Sequence, residues 1–193
     1  MLASETLTGS RAPIRTHRPP RSQSGAPIKS AQESGSGPAR HLVVAVATAA
    51  GAGFAPVAPG TFGSALALAI FVLFSPVGPA LFALSWAALL ALGVWAADRA
   101  ERIFGADDGR IVIDEVVGQL LTLAPLLAFG RPSLGALVTG FVTFRVLDIW
   151  KPGPVGWAER RFEGGMGVMA DDVVAGAFGA VVIAGLAAAG VFA

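Results

Sequence analysis

The chain contains no cysteine among its 193 residues, so disulfide bonds and cysteine nucleophiles are both excluded. Its two histidines, His17 and His41, lie outside the apolar part of the sequence. A general base within that part must therefore be a carboxylate or a metal-bound water. Charged residues are also scarce, at 14% of the chain against roughly 25% in typical soluble domains. Together with a hydrophobic content of 54%, this composition is typical of an integral membrane protein with one domain.

Residues 1–40 differ from the rest of the chain because they are rich in serine, proline, glycine and arginine. They hold six basic and two acidic side chains, whereas the remainder holds eight basic and eleven acidic ones. No apolar periodicity is present, and no apolar stretch follows the first charges as it would in a signal peptide. We therefore predict a disordered, basic, cytoplasmic tail over residues 1–40, solvated and without a specific role.

Five apolar stretches within residues 41–193 predict an all-α, polytopic membrane bundle with about five spanning helices. The stretches cover residues 64–75, 80–97, 111–129, 133–150 and 171–192. A further apolar segment, 41–53, is shorter than the roughly 20 residues that span a bilayer, so it predicts an interfacial or re-entrant helix. With the tail in the cytoplasm, nearly all basic loops fall on the cytoplasmic side, as the positive-inside rule requires.

Charged residues interrupt these apolar stretches, and an intramembrane charge indicates function because it is costly unless it is paired or hydrated. Arg145, Asp148 and Lys151 are spaced by three residues, so on a helix they lie close to one face. Asp114–Glu115 and Asp171–Asp172 lie near the starts of two other stretches. The count of spans places all three groups at the cytoplasmic boundary, which predicts one composite site. For Arg145 and Asp148 alone, a structural ion pair is a serious alternative.

Two glycine-rich segments accompany these charges. Gly60–Ser64 predicts a loop that feeds a helix, with Thr61 or Ser64 as the N-cap. Free backbone N–H groups at such a helix start favour an anion, although an ordinary turn at the membrane interface explains the local pattern equally well. Gly164–Gly167 predicts a flexible segment that lets the backbone approach a ligand closely.

Several carboxylates at a water-accessible boundary are typical of a site for a hard cation such as Mg²⁺. Arg145 offers a planar fork for phosphate oxygens, and Lys151 offers a point charge. This combination is suited to stabilising phosphoryl transfer, with either an aspartate or a metal-activated water as the nucleophile. The pattern also permits a non-enzymatic carrier of cations or protons, but a carrier needs its acids at the midplane of the membrane.

Four segments, taken in order, resemble the motifs of the phosphatidylglycerophosphatase A family over about residues 42–190. They are Gly60-Thr-Phe-Gly63-Ser64 after Ala58-Pro59, Asp114-Glu115-Val-Val-Gly118, Arg145-Val-Leu-Asp148-Ile-Trp-Lys151-Pro152 and Met169-Ala-Asp171-Asp172-Val-Val-Ala-Gly176. The resemblance implies a Mg²⁺-dependent membrane phosphatase that converts phosphatidylglycerophosphate to phosphatidylglycerol and inorganic phosphate. The expected location is the inner membrane, and the positive-inside rule places the N-terminus and the site of this multi-pass protein on the cytoplasmic side.

The predicted site follows from these residues and from the resemblance. The acids predicted to act in catalysis and to bind the metal are Asp114, Glu115, Asp148, Asp171 and Asp172. Among them, Asp114, Asp148 and Asp171 are expected to ligate the metal or attack phosphorus, and the other two to support the metal or act as base. The residues predicted to hold phosphate are Gly60, Thr61, Gly63, Ser64, Arg145 and Lys151. The expected partners are a phospholipid substrate and the lipid bilayer, with no nucleic acid, and the sequence does not decide the oligomeric state.

Other lipid-phosphate chemistries need residues that this sequence lacks. Phosphatases with a histidine nucleophile require histidines in the core, and soluble aspartate phosphatases require an Asp-x-Asp loop after a strand. Membrane transferases of CDP-alcohols require a longer signature of Asp, Gly, Ala and Arg. None of these patterns is present in the sequence.

Overall fold

The computed structural model describes residues 37–129 and 132–192, and every regular element within these ranges is a helix. The seven α-helices are α1 (Pro38–Ala47), α2 (Pro59–Phe74), α3 (Pro79–Phe104), α4 (Ile113–Leu123), α5 (Leu134–Trp150), α6 (Pro154–Arg161) and α7 (Gly164–Ala188). Short 3₁₀ helices lie at Ala52–Phe54, Ser75–Val77 and Ala124–Ala128. The predicted all-α fold is confirmed. Residues 1–36 of the predicted disordered tail lie outside the described residues, whereas its last three residues belong to α1.

Within the part of the chain that the structure describes, three helical segments are long and apolar enough to cross a membrane, namely Pro59–Val77, Pro79–Phe104 and Gly164–Ala188. They correspond to the first, second and fifth predicted spans. The third and fourth predicted spans correspond to α4 and α5, which have 11 and 17 residues. At a rise of 1.5 Å per residue α5 is about 25 Å long, and α4 is lengthened by the 3₁₀ helix that follows it. The predicted short helix before the first span is α1.

The first spanning helix begins earlier than predicted, at Pro59 rather than Ser64. Its N-cap is Ala58, whose φ of 48° lies in the left-handed region, and Pro59 occupies the first turn. Proline is favoured there because its missing N–H has no intrahelical partner in any case. The predictions of a loop over Gly60–Ser64 and of an N-cap at Thr61 or Ser64 are therefore wrong, since this segment forms the first turn of α2.

The last helix also begins earlier than predicted, at Gly164 rather than Asp171. Gly164–Gly167 is helical, so the prediction of a flexible segment is wrong. A Cβ at Gly165 would overlap the backbone oxygen of Val94. The glycine is therefore explained by the close approach of α7 to α3, and it places Asp171 and Asp172 two turns inside a rigid helix.

The buried helix α4 packs against α2, α3, α5 and α7. Its closest crossing is with α7, where a Cβ at Gly176 would stand 2.5 Å from the backbone oxygen of Gly118. The hydroxyl of Thr122 donates at this crossing to the carbonyls of Gly118 and Gly176, at 3.2 and 3.3 Å. On a third side, the Trp86 indole donates to the carbonyl of Val117 at 2.9 Å. These contacts set the spacing between the acidic residues of α4 and those of α7.

The loop before α4 is held by the N-terminal part of the described chain. The Val112 N–H, at the N-cap of α4, donates to the carbonyl of Ala47 at the end of α1, with an N···O distance of 2.9 Å. Gly53 packs so tightly on the backbone oxygen of Arg110 that a Cβ at position 53 would overlap it. Backbone contacts thus tie the start of α4 to the end of α1 and to the 3₁₀ helix that follows α1.

Candidate functional site

A cavity of about 630 Å³ opens where α4 begins, α5 ends and α7 passes its second turn. All five acids predicted for the site line this cavity, together with one of the two predicted basic residues. They are Asp114, Glu115, Asp148, Asp171, Asp172 and Lys151. Residues from three separate segments of the sequence therefore converge on one volume.

The acids form two overlapping groups of three. Oxygen atoms of Asp114, Glu115 and Asp172 lie within 4.8 Å of one another, and so do oxygen atoms of Asp148, Asp171 and Asp172. Asp172 belongs to both groups, since α7 packs against both α4 and α5. Either group has the size and the oxygen-only composition that suit a hard divalent cation.

Arg145 is directed at the acids from the other side of the cavity wall. Its Nη1 atom lies 2.9 Å from Asp148 Oδ2 and 3.9 Å from Glu115 Oε1. The same nitrogen lies 3.4 Å from the hydroxyl of buried Ser64. Because only 16% of its side chain is exposed, Arg145 acts at low dielectric and holds Asp148 and Glu115 in place. It does not line the main cavity.

Lys151 follows the last residue of α5 and turns the chain with a φ of 46°. Its ammonium lies 2.9 Å from Asp171 Oδ2 and also pairs with Glu159 on α6. Burial lowers the pKa of Lys151, but the hydrogen bonds to these two carboxylates outweigh burial and raise the pKa above its usual value. Lys151 therefore stays charged at the cavity wall throughout the neutral range.

Several buried polar atoms in and beside the site have no hydrogen-bond partner within the described residues: Glu115 Oε2, Asp172 Oδ2 and both amide atoms of Gln119. A buried acceptor without a partner costs free energy, so such atoms indicate a missing ligand or water. Lys151 also pairs with Glu159, so the two basic side chains compensate only part of the negative charge when the five acids are ionised. Carboxylate oxygens with spare negative charge fit Mg²⁺, which therefore suits the residues present.

The predicted phosphate-binding segment Gly60–Ser64 lies behind these acids, and none of its residues lines the main cavity that the described residues form. A Cβ at Gly60 would overlap Glu115 Oε1, so this glycine makes room for the carboxylate. A Cβ at Gly63 would stand 2.9 Å from the backbone oxygen of Val112. The segment therefore supports the first turn of α4, and direct phosphate binding by it stays a prediction.

The cavity contains further acids that sequence reasoning did not place there. They are Glu101, Asp107, Asp108, Glu159 and Glu163. Asp108 forms an ion pair of 2.6 Å with Arg110, and the hydrogen bond from that guanidinium lowers the pKa of Asp108 to about 2. The spacing of Asp108 and Arg110 was a usable signal for this pair. No comparable signal pointed to Glu159, because its contact with Lys151 depends on how α6 folds back.

Gln119 is not among the site residues predicted from the sequence, although its position in the sequence gives a reason to include it. It is fully buried, one helical turn after Glu115, in a helix that is otherwise mostly apolar. A polar side chain at that spacing lies on the same face as the acid before it. Gln119 therefore extends the polar face of α4 into the core.

The fold and the site define a helical membrane protein with a polyacidic cavity at one end of its bundle. A sequence model of the family described as "PgpA: Phosphatidylglycerophosphatase A" matches residues 45–187. The chain belongs to the phosphatidylglycerophosphatase A family, as the motifs predicted, and it is a phosphatase. This membership decides against the alternative of a non-enzymatic carrier.

Three relatives show how far the similarity extends. Phosphatidylglycerophosphatase A of Escherichia coli is 37% identical over 134 residues, covering 69% of this chain and 76% of the relative. The Haemophilus influenzae protein of the same name is 34% identical over 137 residues, covering 69% and 81%. A putative phosphatidylinositol-3-phosphatase of Bacteroides thetaiotaomicron is 41% identical over 151 residues, covering 74% and 92%. No solved structure matches the chain significantly.

Proposed function

We propose that this chain hydrolyses the terminal phosphate of phosphatidylglycerophosphate, with Mg²⁺, to give phosphatidylglycerol and inorganic phosphate. The observation that carries the proposal is the family match over residues 45–187. The five predicted acids that line the cavity all lie within this range. Two relatives bear the name of this activity.

A second substrate has a specific observation in its favour, since the Bacteroides relative is named a putative phosphatidylinositol-3-phosphatase. Both candidates are phosphomonoesters carried on a diacylglycerol-based lipid, so the same phosphate chemistry serves either. A cavity of about 630 Å³ is large enough for a phosphorylated glycerol or a phosphorylated inositol. An assay with both lipids is therefore needed to distinguish phosphatidylglycerophosphate from phosphatidylinositol 3-phosphate as the substrate.

In the proposed reaction, water attacks phosphorus, the bond from phosphorus to the lipid oxygen breaks, and a proton passes to that oxygen. Bound Mg²⁺ would supply charge stabilisation for the phosphoryl group as negative charge develops on its oxygens. Asp114, Glu115, Asp148, Asp171 and Asp172 would hold the metal, and an acid with a free oxygen would accept a proton from water.

The basic residues take different parts in this proposal. Lys151 lines the cavity, so its ammonium can exchange a carboxylate contact for a phosphate oxygen with a small rotation. Arg145 faces Asp148 and Glu115, so its first task is to hold these carboxylates in position. A direct contact of Arg145 with phosphate stays a prediction and requires its guanidinium to release one of these acids.

We place the cavity at the cytoplasmic face of the inner membrane. The proposal is supported by the basic composition of residues 1–40 and by the basic residues near the cavity end, including Arg99, Arg102, Arg160 and Arg161. A cavity at the boundary allows the phosphate to remain in water while the acyl chains stay in the bilayer.

The experiment measures inorganic phosphate released by the purified chain in detergent micelles that contain phosphatidylglycerophosphate. Release should require Mg²⁺ and stop with EDTA. The Asp148→Asn variant should lose at least on the order of 100-fold in rate, because it removes a charge at the reacting centre with little change in shape. The matched control is Asp98→Asn, an identical change in an ion pair with Arg102 outside the cavity.

The arms of this experiment separate the parts of the proposal. Release from phosphatidylinositol 3-phosphate but not from phosphatidylglycerophosphate would overturn the headgroup assignment and leave the lipid phosphatase. Release unaffected by EDTA would overturn the metal requirement. An Asp148→Asn variant as active as the parent would remove Asp148 from the site.

A further inference from the structure

We propose that α6 and the residue after it form a binding surface for the headgroups of anionic phospholipids beside the acidic cavity. The exposed side chains of Trp157, Arg160, Arg161 and Phe162 make up this surface, which we call the rim surface. The proposal rests on the proposed function in one respect, namely that this end of the bundle lies at the membrane boundary. It adds a second place on the chain where a lipid is held.

Helix α6 has one face that protein covers and one face that it does not. The covered residues are Val155, Gly156 and Ala158, and the helix packs against α7. The other face carries Trp157, which is 56% exposed, together with exposed Arg160 and Arg161. Tryptophan is enriched where a membrane meets water, and arginine extends its charged end towards headgroups while its stem lies on apolar surface. The uncovered face of α6 therefore has the composition of a surface that contacts headgroups.

The aromatic and basic side chains of the rim surface are arranged together. The rings of Trp157 and Phe162 meet edge to face, with centroids 6.3 Å apart and planes at 83°. The guanidinium of Arg161 lies 6.0 Å from the centroid of the Phe162 ring. Apolar rings next to a guanidinium suit a phospholipid, because the rings can contact its glycerol and upper acyl chain while the guanidinium binds its phosphate. A free phosphate ion would make no use of the rings.

Acids and bases separate on this part of the chain. Glu159 and Glu163 line the main cavity, whereas Arg160 and Arg161 are absent from its lining among the residues described. Glu159 also pairs with Lys151. Neither arginine takes part in an ion pair within 37–129 and 132–192. Two guanidinium groups are therefore available to phosphate oxygens on the side away from the acids.

This separation of charge also gives the rim surface a purpose. The acids of the cavity repel an anion that approaches through water, while positive charge at the edge attracts it. Phe162 lines the cavity and belongs to the rim surface, so the two regions are continuous. Anionic lipids held at the rim would thus lie next to the cavity without entering it.

The test measures lipid binding to the full-length chain in detergent micelles by native mass spectrometry, with EDTA present. The probes are phosphatidylserine and phosphatidylcholine with identical acyl chains, since the first is anionic and the second is zwitterionic. Phosphatidylserine is neither the substrate nor the product of the proposed reaction, so its binding does not report on catalysis. Each basic side chain near an anionic surface strengthens binding by about fivefold, so the parent should prefer phosphatidylserine by about 25-fold.

Paired substitutions separate the rim surface from net charge. Arg160→Gln/Arg161→Gln should bind the two lipids about equally. The matched control, Arg99→Gln/Arg102→Gln, removes the same two charges from the end of α3, where Arg102 already pairs with Asp98. The control should keep the preference for phosphatidylserine. Circular dichroism and gel filtration establish that both variants are folded before their binding is compared.

Two measurements on the parent need no substitution. The preference should fall as salt concentration rises, because salt screens exposed charges. Glycerol 3-phosphate at millimolar concentration should not displace phosphatidylserine, since it offers a phosphate but no apolar part for the rings.

The proposal is overturned by equal binding of the two lipids in the parent, or by a preference that survives Arg160→Gln/Arg161→Gln. An equal loss in the α3 control would show that net charge alone is responsible, and displacement by glycerol 3-phosphate would show a site for soluble phosphate. These outcomes are distinct from failure of the proposed function. A chain that hydrolyses the lipid phosphate without preferring anionic lipids refutes only the rim surface, and a chain with the preference but no hydrolysis refutes only the function.

Discussion

Replacing Gly176 by alanine perturbs the crossing of α4 and α7 without touching any charged group. The new Cβ would stand 2.5 Å from the backbone oxygen of Gly118, while ordinary contact begins at 3.4 Å, so the two helices must separate by about 0.9 Å. The obstructing atoms belong to backbone, which cannot rotate away. Overpacking of this kind costs about 1–3 kcal/mol of stability.

The same separation acts on the site, because α4 carries Asp114 and Glu115 whereas α7 carries Asp171 and Asp172. A misplacement of about 1 Å among reacting groups can cost on the order of 100-fold in rate. We therefore expect Gly176→Ala to lower the kcat for lipid phosphate hydrolysis by about 100-fold. It should also weaken the binding of Mg²⁺, although all five acids are retained.

The assay compares phosphate release and thermal unfolding of Gly176→Ala with those of Gly185→Ala. Gly185 lies on the same helix, and a Cβ there has no atom within 4 Å. The control should keep the parental rate and be as stable as the parent or more so, since alanine is the better helix former. Parental activity in Gly176→Ala would refute the argument that this crossing sets the geometry of the acids.

Three further outcomes are expected. Lys151 has a raised pKa, so its ion pairs with Asp171 and Glu159 should stabilise the fold fully below its ordinary pKa, roughly 10.5, and be lost only as pH rises through the higher pKa of the folded state. Between about pH 6 and 9 the contribution of these ion pairs to the free energy of unfolding should therefore stay constant. The difference in stability between the parent and Lys151→Gln should not change with pH over that range. Asp108 has a pKa lowered to about 2, so its pairing with Arg110 should stabilise the loop above about pH 4 and fade as pH falls towards 2; Asp108→Asn should flatten that part of the acid-unfolding curve. Saturating Mg²⁺ should raise the thermal midpoint, since a concentration 100 times Kd adds about 2.7 kcal/mol of stability, and an unchanged midpoint would speak against a resident cation.

The convergence of the acids could be predicted from the sequence because a charged residue in an apolar chain is costly unless it lies near water, at the membrane boundary. Once the spans were counted, Asp114, Asp148 and Asp171 had to lie at the same membrane boundary. Helix ends were predicted less well. Pro59 and Gly164 look like breaks in a sequence, but proline suits the first turn of a helix and glycine suits a close helix crossing.

Contacts that depend on tertiary packing could not be predicted at all. The pairing of Glu159 with Lys151 requires α6 to fold back over the cavity, and the spacing of residues carries no record of that path. Arg145 could be placed near phosphate by its chemistry, but the structure directs its guanidinium at Asp148 and Glu115. Residue type thus predicted that these side chains belong to the site, and tertiary packing determines which residues each of them contacts.

The backbone bond from Val112 to Ala47 has a practical consequence for anyone who shortens this protein. A truncated chain starting beyond α1 would remove the acceptor of an N–H only two residues before Asp114. A chain that begins at Pro38 would keep the Ala47 carbonyl. A chain that begins at Thr48 would lack it, so the first turn of α4 would lose a hydrogen bond that lies outside the cavity. Helix α1, which contributes no residue to the cavity wall, is therefore part of the smallest unit in which Asp114 is correctly placed.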